Sequence, residues 1–400
     1  MRILFVNRML SIERGGGETF DLEMARHLAE LGCEVSVLSG VPVFGKRRLG
    51  PNDWWGDSLG ATGLRISDHL IRTPYFGWIP WDKTPGAWRI RVADFYLFSR
   101  RAAHWAYRHR EQFDIIQVCE LPFFVDRFNA LESGEGRAAK RIPVSMRLTA
   151  PDFYDPHGAL QRADLVIASG TTMQKMKEGA RPDCENVTNG VDVSLFRPHE
   201  TDFRERHGWG SGDRVVTFVA RFQTVKNHAM LLDAFRQLLA SAPNARLALA
   251  GSGPLEPAVR SQCASLGIAA RVSFLGEMPF REVADLYAAS DIAVIASDYE
   301  SFSFVALEGM ASGLPFVATA TGWVPTLLGG MPHTAGDCPG GIVVPIGDAA
   351  AFASALKRIA GDRELRHSMG AWNRARVERD FGWAASAKKL RALYERIASQ

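Results

Sequence analysis

The stretch from Asp291 to Pro325 decides the fold class, and its sequence is DIAVIASDYESFSFVALEGMASGLPFVATATGWVP. Its first segment, up to Ser297, is a short run of β-branched and small apolar residues and predicts a buried strand. A polar loop follows, after which Ser303 is placed to cap an apolar helix. A strand that leads through a loop into a helix is the repeating unit of a parallel α/β sheet, so the sequence predicts an α/β fold.

The loop between this strand and this helix carries the residues that indicate chemistry. In an open parallel sheet, ligands bind at the carboxyl ends of the strands. The backbone N–H groups at residues 303–305 offer a site for an anion such as a diphosphate. Glu300 lies in the loop and Glu308 more than one turn along the helix, so a close carboxylate pair of the glycosidase kind is not expected. Carboxylates at different depths suit the hydroxyl groups of a sugar and of a ribose, although two such glutamates alone are more often solvated charges.

The same order of elements occurs at the start of the chain and again about 210 residues later. The first copy has a strand at Arg2 to Asn7 and a break at Gly15 to Gly17, with the helical spacing of apolar residues beginning at Thr19. The second copy begins with a strand at Arg214 to Ala220. Two such starts predict two Rossmann-like domains, with a hinge near Phe196 to Pro198.

Two cations follow the first strand of the second copy. Arg221 and Lys226 lie in its polar loop, at the same sheet edge as Glu300, where they can neutralise the charge on a departing nucleoside diphosphate. The sequence contains no D-x-D motif and no cluster of histidines and carboxylates, so no metal site is predicted. Gly251 and Gly253 end the neighbouring strand, where we expect a larger side chain to block a base or a ribose.

Composition bounds the class of protein. The chain has 400 residues, of which 46% are hydrophobic and 23% charged, as is typical of a folded protein with two or three domains. The formal net charge is only +3, so no global field attracts nucleic acid. The 5 cysteines are far apart and no C-x-x-C pair occurs. With no signal-like or membrane-spanning apolar run, we expect a cytoplasmic protein.

Residues 41–110 differ from the rest of the chain. They contain 12 Lys and Arg against 5 Asp and Glu, a local excess of +7, and the first half has poor periodicity and predicts a long loop. A helix is expected from about Arg89 to His109. An acceptor-binding or membrane-skimming surface is one interpretation; the alternative is a helix with one buried and one solvated face, and tryptophans that fill the core. The segment has six tryptophans: Trp54, Trp55, Trp78, Trp81, Trp88 and Trp105.

Taken in order, these segments resemble the family-4 retaining glycosyltransferases. The resemblance covers nearly the whole chain and is strongest from Asn186 to Pro325. It is carried by Gly15 to Glu18, Asn189 to Asp192, Phe196 to Pro198, Val219 to Asn227, Phe274 to Gly276, Leu286 to Asp291, and the E-x7-E segment from Glu300 to Glu308 with Met310 to Pro315. The resemblance implies a GT-B fold, in which two doubly wound Rossmann-like domains face each other. It implies an acceptor-binding domain at 1–197, a nucleotide-sugar-binding domain at 198–378 and a last helix at 379–400 that crosses back to the first domain.

The resemblance also implies roles for individual residues. Arg221 and Lys226 would hold the diphosphate, and Glu300 the donor sugar, so these three are the predicted catalytic residues. The nucleotide and donor site would further comprise Gly16, Gly17, Gly251, Gly276, Glu277, Phe302, Ser303, Phe304 and Glu308, with Glu308 on the ribose hydroxyls. Glu120, Arg147 and Thr149 are expected on the acceptor side.

Two features depart from the family pattern. The family often has glycine where this chain has Ser301 and Ser303. It usually has a histidine at the end of a first-domain strand, near the donor sugar, but here the strand Val144 to Leu148 is followed by Thr149. This predicts either a donor that lacks the terminal hydroxymethyl oxygen, or the use of Thr149 or Arg147 in its place.

The predicted function is transfer of a sugar from a nucleoside diphosphate sugar to an acceptor with retention at the anomeric carbon. The leaving diphosphate would assist, and neither a metal nor a cofactor is expected. The expected partners are the nucleotide sugar and a small-molecule, glycan or lipid-linked acceptor, with at most peripheral contact at the inner membrane face. The alternative is a pseudo-glycosyltransferase or donor-binding protein with altered chemistry. A nicotinamide oxidoreductase is disfavoured because neither domain start has the G-x-G-x-x-G fingerprint.

Overall fold

Two α/β units make up the chain. A computed structural model describes residues 1–12, 15–43, 66–73, 87–134, 141–150 and 154–399. One unit comprises Met1–Asn189 together with Trp383–Gln400, and the other comprises Gly190–Gly382. Each unit has its own parallel sheet with helices packed against it, as expected for a pair of Rossmann-like domains.

In its described residues, the first unit has a seven-stranded sheet in the order β3-β2-β1-β4-β5-β6-β7. Every neighbouring pair in it is parallel. Its strands are β1 Arg2–Asn7, β2 Glu34–Pro42, β3 Ile66–Thr73, β4 Ile115–Cys119, β5 Val144–Arg147, β6 Leu165–Ala168 and β7 Glu185–Asn186. The central strands are apolar because helices cover both of their faces. The helices are α1 Gly16–Glu30, α2 Ala87–Arg108, α3 Pro122–Gly134, α4 Ala159–Arg162 and α5 Gly170–Glu178.

Two expectations for this unit were wrong. Gly16 and Gly17 form the first turn of α1, with Gly15 as its N-cap, so the helix begins before Thr19. Part of the predicted loop is the edge strand β3, which pairs with β2 along its whole length. An edge strand is half exposed, so polar residues interrupt its apolar pattern and weaken the signal in the sequence.

Most tryptophans of residues 41–110 lie outside the part of the chain that the structure describes. Trp54, Trp55, Trp78 and Trp81 lie outside the described residues, as does the side chain of Trp88. Trp105 is half-buried and stacks on His109 with their ring centroids 4.2 Å apart. Trp105 therefore takes part in packing, whereas the acceptor-binding or membrane-skimming surface stays a prediction.

The second unit also has a seven-stranded sheet, in the order β10-β9-β8-β11-β12-β14-β13. Only the hairpin of β13 and β14 at its edge is antiparallel. The strands are β8 Arg214–Val219, β9 Ala245–Ala250, β10 Val272–Gly276, β11 Ile292–Ile295, β12 Phe316–Thr319, β13 Gly336–Cys338 and β14 Gly341–Val344. The helices are α6 Phe203–Arg206, α7 His228–Leu239, α8 Glu256–Ser265, α9 Phe280–Ala288, α10 Phe304–Ala311, α11 Val324–Leu327, α12 Ala349–Gly361 and α13 Arg363–Asp380. Strand β8 lies between β9 and β11, so the strand order changes direction there, which is the usual place for a ligand.

The last helix, α14 Trp383–Ala398, belongs to the first unit, as the crossing-back prediction requires. Its apolar face is buried, and the Tyr394 hydroxyl donates to Gln117 Oε1 at 2.7 Å. The Arg391 guanidinium donates to the Leu31 carbonyl at the end of α1. None of the described helices combines the length and apolar character needed to cross a lipid bilayer. All five cysteines are free thiols.

Candidate functional site

An ion pair between Lys226 and Glu300 lies at the carboxyl edge of the second sheet. The Lys226 Nζ is 2.6 Å from Glu300 Oε1, and the two side chains are 23% and 14% exposed. Lys226 follows β8 and Glu300 follows β11, so the adjacent positions of these two strands bring the residues together. The buried Ser297 hydroxyl donates to the same carboxylate oxygen at 2.8 Å. The Glu300 side chain is therefore fixed from two sides.

The loop after β12 supports the loops that carry Lys226 and Glu300. The Thr321 hydroxyl accepts from the Glu300 backbone N–H at 3.0 Å and donates to the Asp298 carbonyl. Gly322 has φ +50, and a Cβ on it would lie 1.6 Å from the Glu300 carbonyl oxygen. Only a glycine allows the two loops to cross at this distance. Asn227 Nδ2 in turn donates to Asp298 Oδ1 at 2.8 Å, which ties the Lys226 loop to the same structure.

Gly251 and Gly253 lie where two backbone segments cross. A Cβ on Gly251, which has φ +134, would lie 2.1 Å from the Ala220 carbonyl oxygen, and one on Gly253 would lie 2.6 Å from that of Phe222. These glycines therefore let the loop after β9 cross the backbone after β8. The backbone crossing is a reason for these glycines that the sequence did not predict, and the expectation that they also make room for a base or a ribose stays a prediction.

The loop after β10 joins this edge through backbone contacts. The Gly251 N–H donates to the Gly276 carbonyl at 2.7 Å, and Gly276 itself has φ +70. Glu277 is exposed, and its carboxylate accepts from the Ser252 hydroxyl at 3.3 Å. Gly276 and Glu277, both predicted for the nucleotide and donor site, therefore lie at the same sheet edge as Lys226.

Helix α10 begins at this edge with an unusual cap. Ser303 has φ +76 and ψ +94, and its hydroxyl accepts from the Ala306 N–H at 3.4 Å. A serine in this conformation is strained, which explains why glycine suits the position. Phe302 is 4% exposed and packs edge-on against Phe381, so only its backbone is available to a ligand. Phe304, the first residue of the helix, is half-buried.

Glu308 lies a turn deeper on the same helix. Burial raises the pKa of its carboxyl from an ordinary 4.5 to about 7. Arg221 lies in the loop directly after β8, and its side chain is exposed. The second unit thus brings all of its predicted donor-binding residues to one edge of one sheet.

The first unit has a corresponding edge, at the carboxyl ends of β1, β4 and β5. Glu120 has φ +50, and its Oε1 accepts from the Thr149 N–H and hydroxyl, each at 2.6 Å, and from the Ala150 N–H at 3.0 Å. A Cβ on Gly17 would lie 3.3 Å from the Thr149 methyl. Gly16 and Gly17 open helix α1 at this same edge. Glu120 and Thr149 are thus one hydrogen-bonded pair, half-buried beside the glycine turn.

Arg147 was expected on the acceptor side, but it is buried beneath α1. The residue is only 4% exposed. Its Nη1 donates to the Gly17 carbonyl at 3.1 Å, and its guanidinium covers the Phe20 ring at 3.8 Å. It is also 3.8 Å from Asp21, which accepts from Asn7 Nδ2 at 2.8 Å. Burial raises the pKa of Asp21 to about 6, although Arg147 opposes the shift. These contacts hold the glycine turn in place.

Sequence reasoning did not find the residues that support the site. Ser297, Thr321 and Gly322 fix Glu300, and Asn7 and Asp21 accompany Arg147. One signal was available, because a small polar residue directly after a buried strand lies at the ligand-binding edge. Among the described residues, no group of three or more His, Cys, Asp and Glu side chains is placed to hold a metal ion.

Comparisons with known proteins agree with this picture of the fold. The family model described as "Glycosyl transferases group 1" matches residues 199–376. A D-inositol 3-phosphate glycosyltransferase of Corynebacterium aurimucosum is 32% identical over 96% of this chain and 91% of its own length. The match to the same-named protein of Corynebacterium jeikeium, at 33% identity, covers 67% of this chain and 64% of that protein. An N-acetyl-alpha-D-glucosaminyl L-malate synthase of Bacillus anthracis is 26% identical, covering 96% of this chain and 93% of its own.

Solved structures show the same architecture. Sucrose-phosphate synthase from Thermosynechococcus elongatus has a TM-score of 0.74 at 20% identity, covering 100% of this chain and 99% of that one. Anabaena HepE in complex with UDP has a TM-score of 0.73 at 18% identity, covering 99% and 100%. At these identities the likeness shows the fold alone, which is of the GT-B type. The sequence matches add the family: this chain belongs to the glycosyl transferases group 1 family and is a glycosyltransferase.

Proposed function

We propose that the protein transfers a sugar from a nucleoside diphosphate sugar to an acceptor with retention at the anomeric carbon. The observation that carries this proposal is the Lys226–Glu300 ion pair at the edge where α10 begins. A cation, a fixed carboxylate and a helix N-terminus are the groups that a diphosphate joined to a sugar requires.

The proposed chemistry depends on stabilising the leaving group. Lys226 and Arg221 follow the same strand and would offset the negative charge that develops on the diphosphate as the glycosidic bond breaks. Glu300 is held by Lys226 and Ser297, which suits it to orient hydroxyl groups of the sugar. The leaving diphosphate would accept the proton of the acceptor on the same face, so the configuration would be retained. The protein's own contribution would be orientation and electrostatics.

The relatives and the solved structures suggest which chemical classes of donor and acceptor to test first. HepE has been solved with UDP and with UDP-glucose, so a uridine diphosphate sugar is the first donor to test. The names of two relatives contain inositol 3-phosphate and malate. Both compounds are small anions that carry hydroxyl groups. We extend this class to the acceptor here, with a glycan or a lipid-linked compound as the wider range. The Glu120–Thr149 pair would face it, while Arg147 would position the glycine turn.

The reaction as proposed needs neither a metal nor a cofactor, because side-chain cations and the helix N-terminus supply the counter-charge. The location we propose is the cytoplasm, with peripheral contact at the inner membrane face. One observation favours a second candidate, a donor-binding protein with altered chemistry: the Thr149 hydroxyl is engaged with Glu120 where the family usually has a histidine.

Thermal unfolding in the presence of UDP, GDP, ADP and TDP tests the proposal. A ligand at 100 times its dissociation constant stabilises the folded state by about 2.7 kcal/mol, so one nucleotide should raise the melting temperature clearly. The corresponding sugar nucleotide should then yield an α- or β-product of unchanged anomeric configuration, with or without EDTA. No shift with any nucleotide would overturn donor binding. A shift accompanied by a non-glycosidic product would establish the second candidate.

A further inference from the structure

One face of helix α2 (Ala87–Arg108) is exposed and lacks acidic side chains. Its exposed positions follow helical spacing and comprise Arg89, Ile90, Ala93, Tyr96, Leu97, Arg100, Arg101 and Arg108. At 1.5 Å per residue, the helix is about 33 Å long. Cations and apolar groups thus share a single continuous face, which is called the α2 face below.

The single acidic residue of this helix is turned away from that face. Asp94 is 3% exposed; it forms an ion pair with Arg8 and accepts from the Thr73 hydroxyl at 2.5 Å. The contacts of two arginines of the α2 face are with neutral groups: Arg101 donates to the Arg72 carbonyl at 2.8 Å, and Arg100 to the Tyr96 hydroxyl at 3.4 Å. These contacts therefore do not offset the positive charge of Arg100 and Arg101, whose residues are exposed to solvent.

Large apolar side chains are exposed among these arginines. Leu97, Tyr96 and Ile90 are 41%, 42% and 39% exposed, and Leu70 on the adjacent edge strand β3 is 38% exposed. These are 4 of the 10 exposed large hydrophobic side chains in the described part of the chain. Such a concentration beside cations is uncommon on a surface that only meets water.

A groove of about 520 Å³ runs along the boundary of α2 and β3. Its lining residues are Ile71, Leu97, Arg100, Arg101, His104, Trp105, Arg108 and His109. Cations line it together with an indole and aliphatic groups. This combination suits a phosphate head group beside an acyl or glycerol moiety, because arginine binds phosphate while its carbon stem covers apolar surface.

From these features we infer that the α2 face docks on a membrane surface that contains anionic phospholipids. The arginines would attract the lipid phosphates, and Ile90, Tyr96 and Leu97 would enter the interfacial layer. Charge complementarity selects this occupant, since a bilayer without net negative charge would offer no counter-charge to Arg100 and Arg101. The inference concerns where the protein binds and does not depend on which sugar it transfers.

Co-sedimentation of the full chain with lipid vesicles tests the inference. We expect binding to vesicles of phosphatidylcholine mixed with phosphatidylglycerol, weaker binding at high salt, and little binding to phosphatidylcholine alone. The double variant Arg100→Gln/Arg101→Gln should have a partition coefficient about 25-fold lower, because each lost cation lowers it about 5-fold. Leu97→Ser should lower it while leaving the salt dependence in place.

The matched control is the double variant Lys388→Gln/Lys389→Gln on α14, which removes another adjacent pair of exposed cations in the same unit. Equal loss of binding in the two double variants, or equal binding to the two kinds of vesicle, would overturn the inference. Displacement from vesicles by soluble glycerol phosphate at matched ionic strength would also overturn it, because the groove would then be a site for a small anion. Melting temperatures of both double variants check that the fold is intact.

Discussion

At the scale of single residues, the Lys226–Glu300 pair links the fold to the proposed chemistry. Taking both charges partly out of water has a free-energy cost that the pair alone scarcely recovers, so stability gives little reason to keep it. A departing diphosphate gives a better reason, because the Lys226 ammonium would offset the negative charge that develops on it as the glycosidic bond breaks. We therefore expect its effect to appear in the rate more than in the free energy of unfolding.

Lys226→Ala should lower turnover by about 10²- to 10³-fold, the usual cost of losing one group that stabilises developing charge. The exposed Lys389→Ala is the control for loss of a cation. Steady-state kinetics with the sugar nucleotide identified by thermal unfolding provide the measurement. If Lys226→Ala/Glu300→Gln recovered most of the lost rate, Lys226 would serve to neutralise Glu300 and not the leaving group.

At the scale of elements, the site depends on loops that cross at backbone distance. The loops after β8, β11 and β12 are held by Asn227, Thr321 and Gly322, and the loop after β9 crosses the first of them at Gly251. Any Cβ at these crossings would push two loops apart. The rigidity of the Glu300 carboxylate is therefore a property of three loops together.

Gly322→Ala should both destabilise the second unit and displace Glu300. The Cβ would overlap the Glu300 carbonyl oxygen at 1.6 Å, so the loops must separate, at a cost of roughly 2–4 kcal/mol. Gly212→Ala is the matched control, since its Cβ meets nothing within 4 Å. Chemical denaturation and nucleotide affinity measure the two effects. A Gly322→Ala protein with wild-type stability and affinity would contradict this account of the crossing.

The elements also show how far the sequence could predict the structure. Central strands such as β1 are continuous apolar runs that are buried on both faces, so the sequence pattern predicts them as strands. Strand β3 was missed because an edge strand mixes polar with apolar residues, and the start of α1 was misplaced because glycine has poor helix propensity. Arg221, Lys226 and Glu300 follow strands and could be predicted from that position. The reason for Gly251 could not, because a loop crossing is a long-range contact.

At the scale of the whole molecule, buried ionisable groups make stability depend on pH in both units. Burial raises the pKa of Asp21 to about 6 and that of Glu308 to about 7, and it lowers the pKa of His228 to about 4. Each carboxyl weakens the fold as pH rises from its ordinary pKa, 3.8 for Asp21 and 4.5 for Glu308, to its raised pKa, because the unfolded carboxyl then loses its proton while the folded one keeps it. His228 acts in the opposite direction, since it strengthens the fold as pH rises from about 4 to its ordinary 6.5.

Glu308→Gln separates these opposing contributions. In the wild-type protein, stability from this group is fully present below pH 4.5 and is lost as pH rises through about 7, because the unfolded carboxyl ionises first. Glutamine has no charge to bury, so the free energy of unfolding of Glu308→Gln should gain on the wild type by about 1–3 kcal/mol between pH 4.5 and pH 7.5. Denaturant titrations across this range measure the difference, with Glu364→Gln on the exposed side of α13 as the control. A difference that stayed constant with pH would mean that Glu308 is already solvated and that α10 holds it at the surface.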